Sequence, residues 1–300
     1  MLLLFWKALG IAVEEIYNVK CYHTPQSPPR YLCGAEKGLT VINPYINWSE
    51  IPECSFFFTP SRVMGSCIFD GNLLAGTMYH GVYEVPWNYV MSRGCEVDSP
   101  KDISSQINLT YTTSSGLPSD EILTIDSQDQ YLSVLTSSGL YWKKSGTESF
   151  LTCLTTEGRD VFMTDAPALY FAESNQLRIK YGEPVDLDTW DVTIPYSDSE
   201  INKIFVNSYN GVDTLFIATT SGLDVIEGSD TTSYYDVITG SKDLLSLAVE
   251  LDSRMGWGHV FVGSAEGLNV INLKSNESET YIEYGGLPIL SIGYDRFYSK

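Results

Sequence analysis

The stretch Gly38-Leu39-Thr40-Val41-Ile42 returns as Gly222-Leu223-Asp224-Val225-Ile226 and again as Gly267-Leu268-Asn269-Val270-Ile271. Each copy is a glycine followed by a mostly apolar run, a composition typical of a hairpin turn that leads into a β-strand. Glycine suits such a turn because it adopts a positive φ at little cost. The last two copies begin 45 residues apart, and a repeat of this length built from short strands predicts a β-propeller.

Weaker copies of the same hairpin begin at Gly81, Gly139 and Gln176. The clearest full repeat runs from residue 116 to residue 154 and contains four apolar stretches separated by turns rich in Gly, Asp and Ser. These stretches are 122–125, 131–135, 140–142 and 149–154. Four short strands joined in this way predict an antiparallel four-stranded blade, so the predicted fold class is all-β.

The two ends of the chain predict a further blade. Gly285-Gly286-Leu287-Pro288 repeats the turn Gly116-Leu117-Pro118, and an apolar strand candidate follows at 289–292. Residues 2–6 and 11–13 supply strand candidates before the first full repeat. Because pairing the termini would cover two open sheet edges, we predict seven blades, the last closed by both chain termini, with six blades as the alternative.

We expect one domain over residues 1–300, with a single interruption of the repeat. The step from Gly81 to Gly139 is 58 residues, longer than the other steps. The excess falls near residues 91–106, which carry Gly94, Cys95 and Pro100, and we interpret it as an inserted loop.

Charge and hydrophobicity narrow the classes of partner. The chain has 38 acidic and 18 basic residues, a formal net charge of -20, which disfavours phosphate backbones and therefore nucleic acid. No apolar run approaches the roughly 20 residues of a membrane span, so membrane insertion is not predicted. The apolar start Met1-Leu2-Leu3-Leu4-Phe5-Trp6 lacks a basic region before it and a cleavage site after it, so we predict no signal peptide.

Residues with catalytic or metal-binding chemistry are scattered. His23, His80 and His259 are far apart in sequence, and no nucleophile elbow or phosphate-binding glycine loop is present. The densest carboxylates are Asp126 with Asp129, and the group Asp186, Asp188 and Asp191, which we interpret as turn residues. We therefore predict no catalytic residue, no cofactor and no metal, with a carboxylate-dependent glycan-active enzyme as the second alternative.

Aromatic residues and cysteines give two weaker indications. Most of the 20 tyrosines and 6 tryptophans fall in predicted strands, but Tyr79, Trp87 and Trp257 fall in or near turns and are the candidate contact surface. The six cysteines form no CxxC pair and are interpreted as buried thiols. Disulfides, together with glycosylation sequons that begin at Asn47, Asn108 and Asn276, would instead favour an extracytoplasmic protein.

The segment Gly116-Leu117-Pro118-Ser119-Asp120-x-Ile122-x-x-Ile125, followed by a strand and Gly139-Leu140-Tyr141, resembles the repeat of the two-component-regulator type of propeller. Residues 285–292 match its first half. The resemblance implies a binding or sensing module of the kind found in bacteria and their viruses. It implies no catalytic residue.

From these observations we predict a non-enzymatic propeller that mediates protein–protein contacts as a structural part of a larger assembly. The specific expectation is a bacteriophage virion or tail component, made in the host cytoplasm, whose partners are other proteins of the assembly. The alternative is an extracellular ligand- or glycan-binding module, acting as a sensor or in attachment.

Overall fold

The chain is represented by a computed structural model that describes residues 16–24, 27–43, 53–92, 101–147, 150–154, 156–164, 168–182, 189–196, 198–209, 212–252, 257–281, 289 and 291–292. These residues form six β-sheets, one short α-helix and two 3-10 helices. The chain divides into two compact units, 1–125 and 126–300. The boundary falls within the first strand of the third sheet.

The first unit contains two sheets and the helix. In the first sheet the strands lie in the order β1 (Ile16–Thr24), β2 (Ser27–Ala35), β3 (Gly38–Asn43), β4 (Glu53–Phe58) and β8 (Lys101–Asp102). In the second sheet the order is β5 (Val63–Phe69), β6 (Asn72–Thr77), β7 (Gly81–Pro86) and β9 (Asn108–Tyr111). The helix α1 (Trp87–Ser92) follows β7, and 3-10 turns occupy Ser104–Gln106 and Thr113–Ser115.

The third to sixth sheets each follow chain order. The third sheet contains β10 (Ile122–Gln128), β11 (Tyr131–Thr136), β12 (Gly139–Lys144) and β13 (Leu151–Leu154). The fourth sheet contains β14 (Asp160–Thr164), β15 (Ala168–Ala172), β16 (Gln176–Tyr181) and β17 (Val192–Pro195). The fifth sheet contains β18 (Ile201–Tyr209), β19 (Val212–Thr219), β20 (Gly222–Glu227) and β21 (Asp230–Tyr234). The sixth sheet contains β22 (Leu244–Asp252), β23 (Trp257–Ser264), β24 (Gly267–Asn272) and β25 (Glu277–Tyr281).

Sheets pack face to face through apolar side chains, which explains why the middle strands are apolar on both faces. In the first unit Leu32, Leu73 and Val85 belong to one core cluster. In the second unit one cluster joins the fourth and fifth sheets around Tyr170 and Ile217, and another joins the fifth and sixth around residues such as Phe216.

The predicted hairpins are confirmed. The six marks at 38, 81, 139, 176, 222 and 267 are each the first residue of the third strand of a sheet. The glycines at five of these positions have φ between 76° and 156°, the range that glycine adopts most readily. The four-stranded antiparallel blades are confirmed with them.

The prediction of seven blades is wrong, because the described residues form six sheets. The turn-like sequence before Ile289 does not open a described strand. Instead, the Ile289 N–H donates to the Ser264 carbonyl (3.0 Å), and the Ile289 carbonyl accepts a bond from Ser246 Oγ (2.6 Å). The backbone of residue 289 is therefore bonded to the sixth sheet, and its side chain lies close to Gly263 of that sheet. The proposed partner strands 2–6 and 11–13 lie outside the described residues.

The segment 91–106, expected as an inserted loop, includes the last residues of α1, the short strand β8 and a 3-10 turn. Strand β8 pairs in parallel with β4, Ser55 opposite Lys101. This pairing covers part of the outer edge of the first sheet, an edge that would otherwise offer unpaired backbone groups. Residues 93–100 lie outside the described part of the chain.

Candidate binding surface on the hairpin turns

The turn between the second and third strand of each sheet presents two or three residues at one end of that sheet. We call these turns the turn surface of each unit. In the first unit it consists of residues 36–37 and 78–80, and in the second unit of residues 137–138, 173–175, 220–221 and 265–266.

A buried hydroxyl stabilises four of these turns in the same way. Thr136 Oγ1 donates to the Gly139 carbonyl (3.0 Å) and accepts from the Ser138 N–H (3.1 Å). Thr219 makes the same pair of bonds with Gly222 and Ser221. Thr77 and Ser264 repeat the arrangement in the second and sixth sheets. The backbone of these turns is therefore fixed independently of the side chains that the turn residues carry.

The connections from one sheet to the next are bonded to the same turns. In the first unit the Thr59 N–H donates to the Lys37 carbonyl (3.0 Å), and the Met78 N–H donates to the Arg62 carbonyl (2.9 Å). The stretch 59–62 thus ties one turn to the next.

The second unit repeats this link between the fourth and fifth sheets. There the Tyr196 N–H donates to the Asn175 carbonyl (2.7 Å), and the Thr220 N–H donates to the Glu200 carbonyl (2.9 Å). In both units, turns and connections form one hydrogen-bonded backbone platform.

The platform is constant, but the side chains it displays differ. Lys37, Tyr79, Ser138, Asn175 and Glu266 are exposed turn residues of five different sheets. A rigid scaffold that carries variable exposed side chains is the usual construction of a recognition surface.

The connections of the second unit and the turn surface beside them are acidic. Asp198, Asp236, Asp243 and Glu266 are exposed there, and Glu200 pairs with Arg159 at 2.8 Å. The Lys242 ammonium donates to the Tyr235 carbonyl (2.5 Å). The cations of this region are therefore already engaged, and its field favours cationic groups.

A buried carboxylate supports Tyr235 beside this surface. Asp224 accepts hydrogen bonds from Ser233 Oγ (2.5 Å) and the Tyr235 hydroxyl (3.2 Å). Burial and the nearby Asp224 charge raise the pKa of Tyr196, and burial is the main cause of the raised pKa of Tyr235. Both phenols thus remain protonated hydrogen-bond donors at neutral pH.

Of the three aromatic residues predicted as a contact surface, Tyr79 and Trp87 have described side chains, and they lie at opposite ends of β7. Tyr79 is 59% exposed and lies in the β6–β7 turn. Trp87 follows the other end of β7. Its backbone N–H donates to the Gly71 carbonyl, and its half-buried side chain packs on the core cluster of the first unit. A strand of six residues separates them by roughly 20 Å. Trp257 is the first residue of β23, and its side chain lies outside the described part.

The carboxylates and histidines singled out from the sequence have structural partners or lie outside the description. Asp126 is buried and accepts from the Met163 N–H (2.9 Å), and Asp129 sits in a turn with φ 51°. Asp191 accepts from the Tyr181 N–H (2.7 Å). His259 contacts Glu250 (3.2 Å). Asp186, Asp188 and the His23 side chain are not described.

Among the described residues no group of three His, Cys, Asp or Glu side chains could hold a metal ion. Likewise, no helix within the described ranges is both long and apolar enough to cross a bilayer.

Sequence reasoning missed the polar links between the first strands of neighbouring sheets. Asp160 is 2% exposed and accepts from Lys203 Nζ (2.7 Å) and the Ile204 N–H (3.0 Å). Burial raises the pKa of Asp160, although Lys203 and the N–H group oppose the shift. Lone aspartates at strand starts are common in turns, so the sequence offered no signal for this role.

Comparison with solved structures identifies the fold. The WD40 β-propeller domain of Doa1 superposes with a TM-score of 0.65 at 9% identity, over 93% of this chain and 86% of that one. The extracellular domain of the hybrid two-component system BT4673 from B. thetaiotaomicron gives 0.60 at 16%, over 91% and 34%. PorZ, a surface component of the type-IX secretion system of Porphyromonas gingivalis, gives 0.57 at 14%, over 95% and 35%.

No family model and no curated protein matches the chain. At these identities the similarities show the fold alone, a β-propeller, here with six blades. The chain spans about a third of the length of the BT4673 and PorZ structures.

Proposed function

We propose that this chain is a non-enzymatic binding module that acts outside the cytoplasm and recognises a ligand or glycan through its turn surface. The observation that carries the proposal is the repeated hydroxyl clamp. Thr136, Thr219 and Ser264 hold two-residue turns, and Thr77 holds a three-residue turn, through the same pair of hydroxyl hydrogen bonds, beneath turn residues that differ from sheet to sheet. Conserved geometry beneath variable exposed side chains is expected of a surface that recognises a partner.

The extracytoplasmic assignment draws on the similar structures. The BT4673 domain is extracellular, and PorZ is a bacterial surface component. Asn108 and Asn276, the first residues of two sequons, are exposed, which is compatible with this location. The narrower expectation of a phage virion component stays a prediction, because none of the three reported structures is a virion protein.

The absence of catalysis is part of the proposal and rests on how the buried carboxylates are used. Asp126, Asp160 and Asp224 accept hydrogen bonds from groups of their own chain. A general acid or nucleophile needs a carboxyl group that can reach a substrate. These three carboxylates instead stabilise the fold.

The test combines a ligand screen with variants of the turn surface. A glycan array and a thermal-shift screen of saccharides, peptides and organic acids would identify a ligand of the intact chain. Ser138→Arg and Asn175→Arg place bulk on the turn surface of the second unit, and Tyr79→Ala removes an exposed ring from the first. Glu277→Arg is the matched control, since Glu277 is exposed at the start of β25, at the far end of β24 from its turn.

We expect at least one turn variant to weaken binding about tenfold or more, while Glu277→Arg leaves it unchanged. Binding that is insensitive to all three turn variants, or that is lost in Glu277→Arg, would refute the assignment of the surface. Turnover of a bound glycan would refute the non-enzymatic assignment.

A further inference from the structure

A compact group of cationic and aromatic side chains lies on the turn surface of the first unit. It consists of Lys37, Ser61, Arg62, Tyr79 and His80, which we call the cationic patch. The backbone bonds from Thr59 to Lys37 and from Met78 to Arg62 join both turns to the intervening connection. The His80 ring contacts Ser61 Oγ at 3.1 Å, which fixes the connection against the second turn.

Arg62 is the unusual member of the patch. Its guanidinium lies over the Tyr17 ring, 4.8 Å from the centroid, and no carboxylate among the described residues lies within ion-pair distance of it. Several cations of the described residues do pair with a carboxylate: Arg159 pairs with Glu200, Arg178 with Glu173, and Lys203 with Asp160. A guanidinium that has no carboxylate partner among the described residues, in a chain of net charge -20, calls for an explanation.

Stacking on Tyr17 orients the guanidinium without using its hydrogen-bond donors. A planar guanidinium presents parallel N–H groups that match the two oxygens of a carboxylate, and pre-orientation reduces the entropy lost on binding. Lys37 is exposed on the neighbouring turn and adds a second positive charge.

Three acidic residues close to these turns in the chain form no ion pair with Arg62. Asp120, whose carbonyl accepts from the Gly81 N–H, has its carboxylate engaged by the Thr113 N–H (2.6 Å) and hydroxyl (3.2 Å). Glu36 shares a turn with Lys37, and Glu121 follows Asp120; both are half-buried, and neither forms an ion pair with Arg62.

We propose that the cationic patch binds one carboxylate group of a small ligand, with Arg62 as the carboxylate receptor and the 59% exposed Tyr79 ring as the apolar surface beside it. This inference rests on the proposed function and names the ligand chemistry for the first unit. The overall charge of -20 repels long polyanions, so the ligand carries one or few negative charges. A uronic-acid saccharide and the free C-terminus of a short peptide both supply this chemistry.

Isothermal titration calorimetry on the full chain tests the proposal with two pairs of probes. The first pair is a disaccharide ending in glucuronic acid and its methyl ester. The second pair is a short peptide with a free C-terminus and the same peptide amidated. Within a pair, only the charge of the carboxyl group differs, so the comparison isolates the receptor interaction.

We expect one acidic probe to bind, and its neutral partner to bind at least about tenfold more weakly. Which acidic probe binds identifies the source of the carboxylate. Arg62→Gln should weaken binding about tenfold or more, and Arg62→Lys by less, because it retains the charge but loses the planar fork. Arg159→Gln, which removes a compensated arginine, should leave the affinity unchanged. Thermal unfolding of each variant shows whether it is folded.

The inference is overturned if neither acidic probe binds, if the ester or amide binds as tightly as the acid, or if folded Arg62→Gln and Arg62→Lys both retain full affinity. A ligand from the screen whose binding depends on Ser138 or Asn175 but not on Arg62 would overturn this inference and leave the proposed function standing.

Discussion

Gln176 donates a hydrogen bond from its side-chain amide to the carboxylate of Glu173, across the one hairpin of the six where glycine is replaced. Glu173 also accepts from Thr156 Oγ1 (2.9 Å) and Arg178 (3.2 Å). The fourth sheet therefore closes its turn with a carboxylate and an amide, where four of the other sheets use a hydroxyl. The substitution that makes this repeat look degenerate in sequence is a second solution to the same turn.

Gln176→Ala should destabilise the protein by about 1–2 kcal/mol, because it removes one donor from a buried carboxylate. Urea unfolding followed by fluorescence measures the change. Asn175→Ala is the control, since Asn175 is exposed and uses its backbone carbonyl to accept from Tyr196. Equal stability of Gln176→Ala and the wild type would show that Glu173 is satisfied without the amide.

Thr136→Val should destabilise the protein by about 1–2 kcal/mol, because valine keeps the shape but loses both bonds of the buried hydroxyl. Thr219→Val should behave alike. Thr231→Val, on the exposed strand β21, should change the free energy of unfolding by less than about 0.5 kcal/mol. If the Thr136 and Thr231 variants have the same midpoint in urea, the hydroxyl clamp is not a source of stability.

The repeat could be predicted from sequence because its signal is local. Each hairpin glycine lies beside the strand that it introduces. The hydroxyl that holds the turn also has a local sequence signal, since Thr136 and Thr219 precede their glycines by three residues. The predicted number of blades was wrong because it, too, rested on a local signal. The sequence before Ile289 copies a local turn, but whether a strand follows depends on a partner elsewhere in the chain.

The polar links between sheets could not be read from the sequence. Asp160 bonds to Lys203 and Ile204, more than forty residues away, and no short-range pattern records such a pair. The lack of a carboxylate partner for Arg62 among the described residues is equally absent from any local pattern, because it depends on where distant carboxylates lie. Tyr79 and Trp87, close in sequence, lie at opposite ends of one strand, and their role as contact residues stays a prediction.

Cys33 should resist thiol reagents in the folded protein. It is a free, fully buried thiol, and burial raises its pKa to about 12, so the reactive thiolate is scarce at pH 8. Alkylation followed by peptide mass mapping reads this cysteine separately from the other five. We expect labelling of Cys33 only in denaturant. Rapid labelling in native buffer would contradict its burial.

Asp160 should make stability depend on pH with a sign opposite to that of an ordinary ion-paired carboxylate. Its folded pKa is raised above the unfolded value by burial, so the folded state binds the proton more tightly. The stability from this group is therefore complete below about pH 4 and is lost as the pH rises through the folded pKa. In Asp160→Asn this loss is absent, because asparagine resembles the protonated acid and still accepts from the Ile204 N–H.

The measurement is the difference in unfolding free energy between the wild type and Asp160→Asn from pH 4 to pH 7.5, in which the other titrating groups cancel. We expect the wild type to lose stability relative to Asp160→Asn as the pH rises. Lys203→Met, which removes the charge that opposes the shift, should enlarge that loss. A wild type that gains stability relative to Asp160→Asn with rising pH would mean that the Lys203 ion pair outweighs burial, and that this link between the fourth and fifth sheets is held by charge.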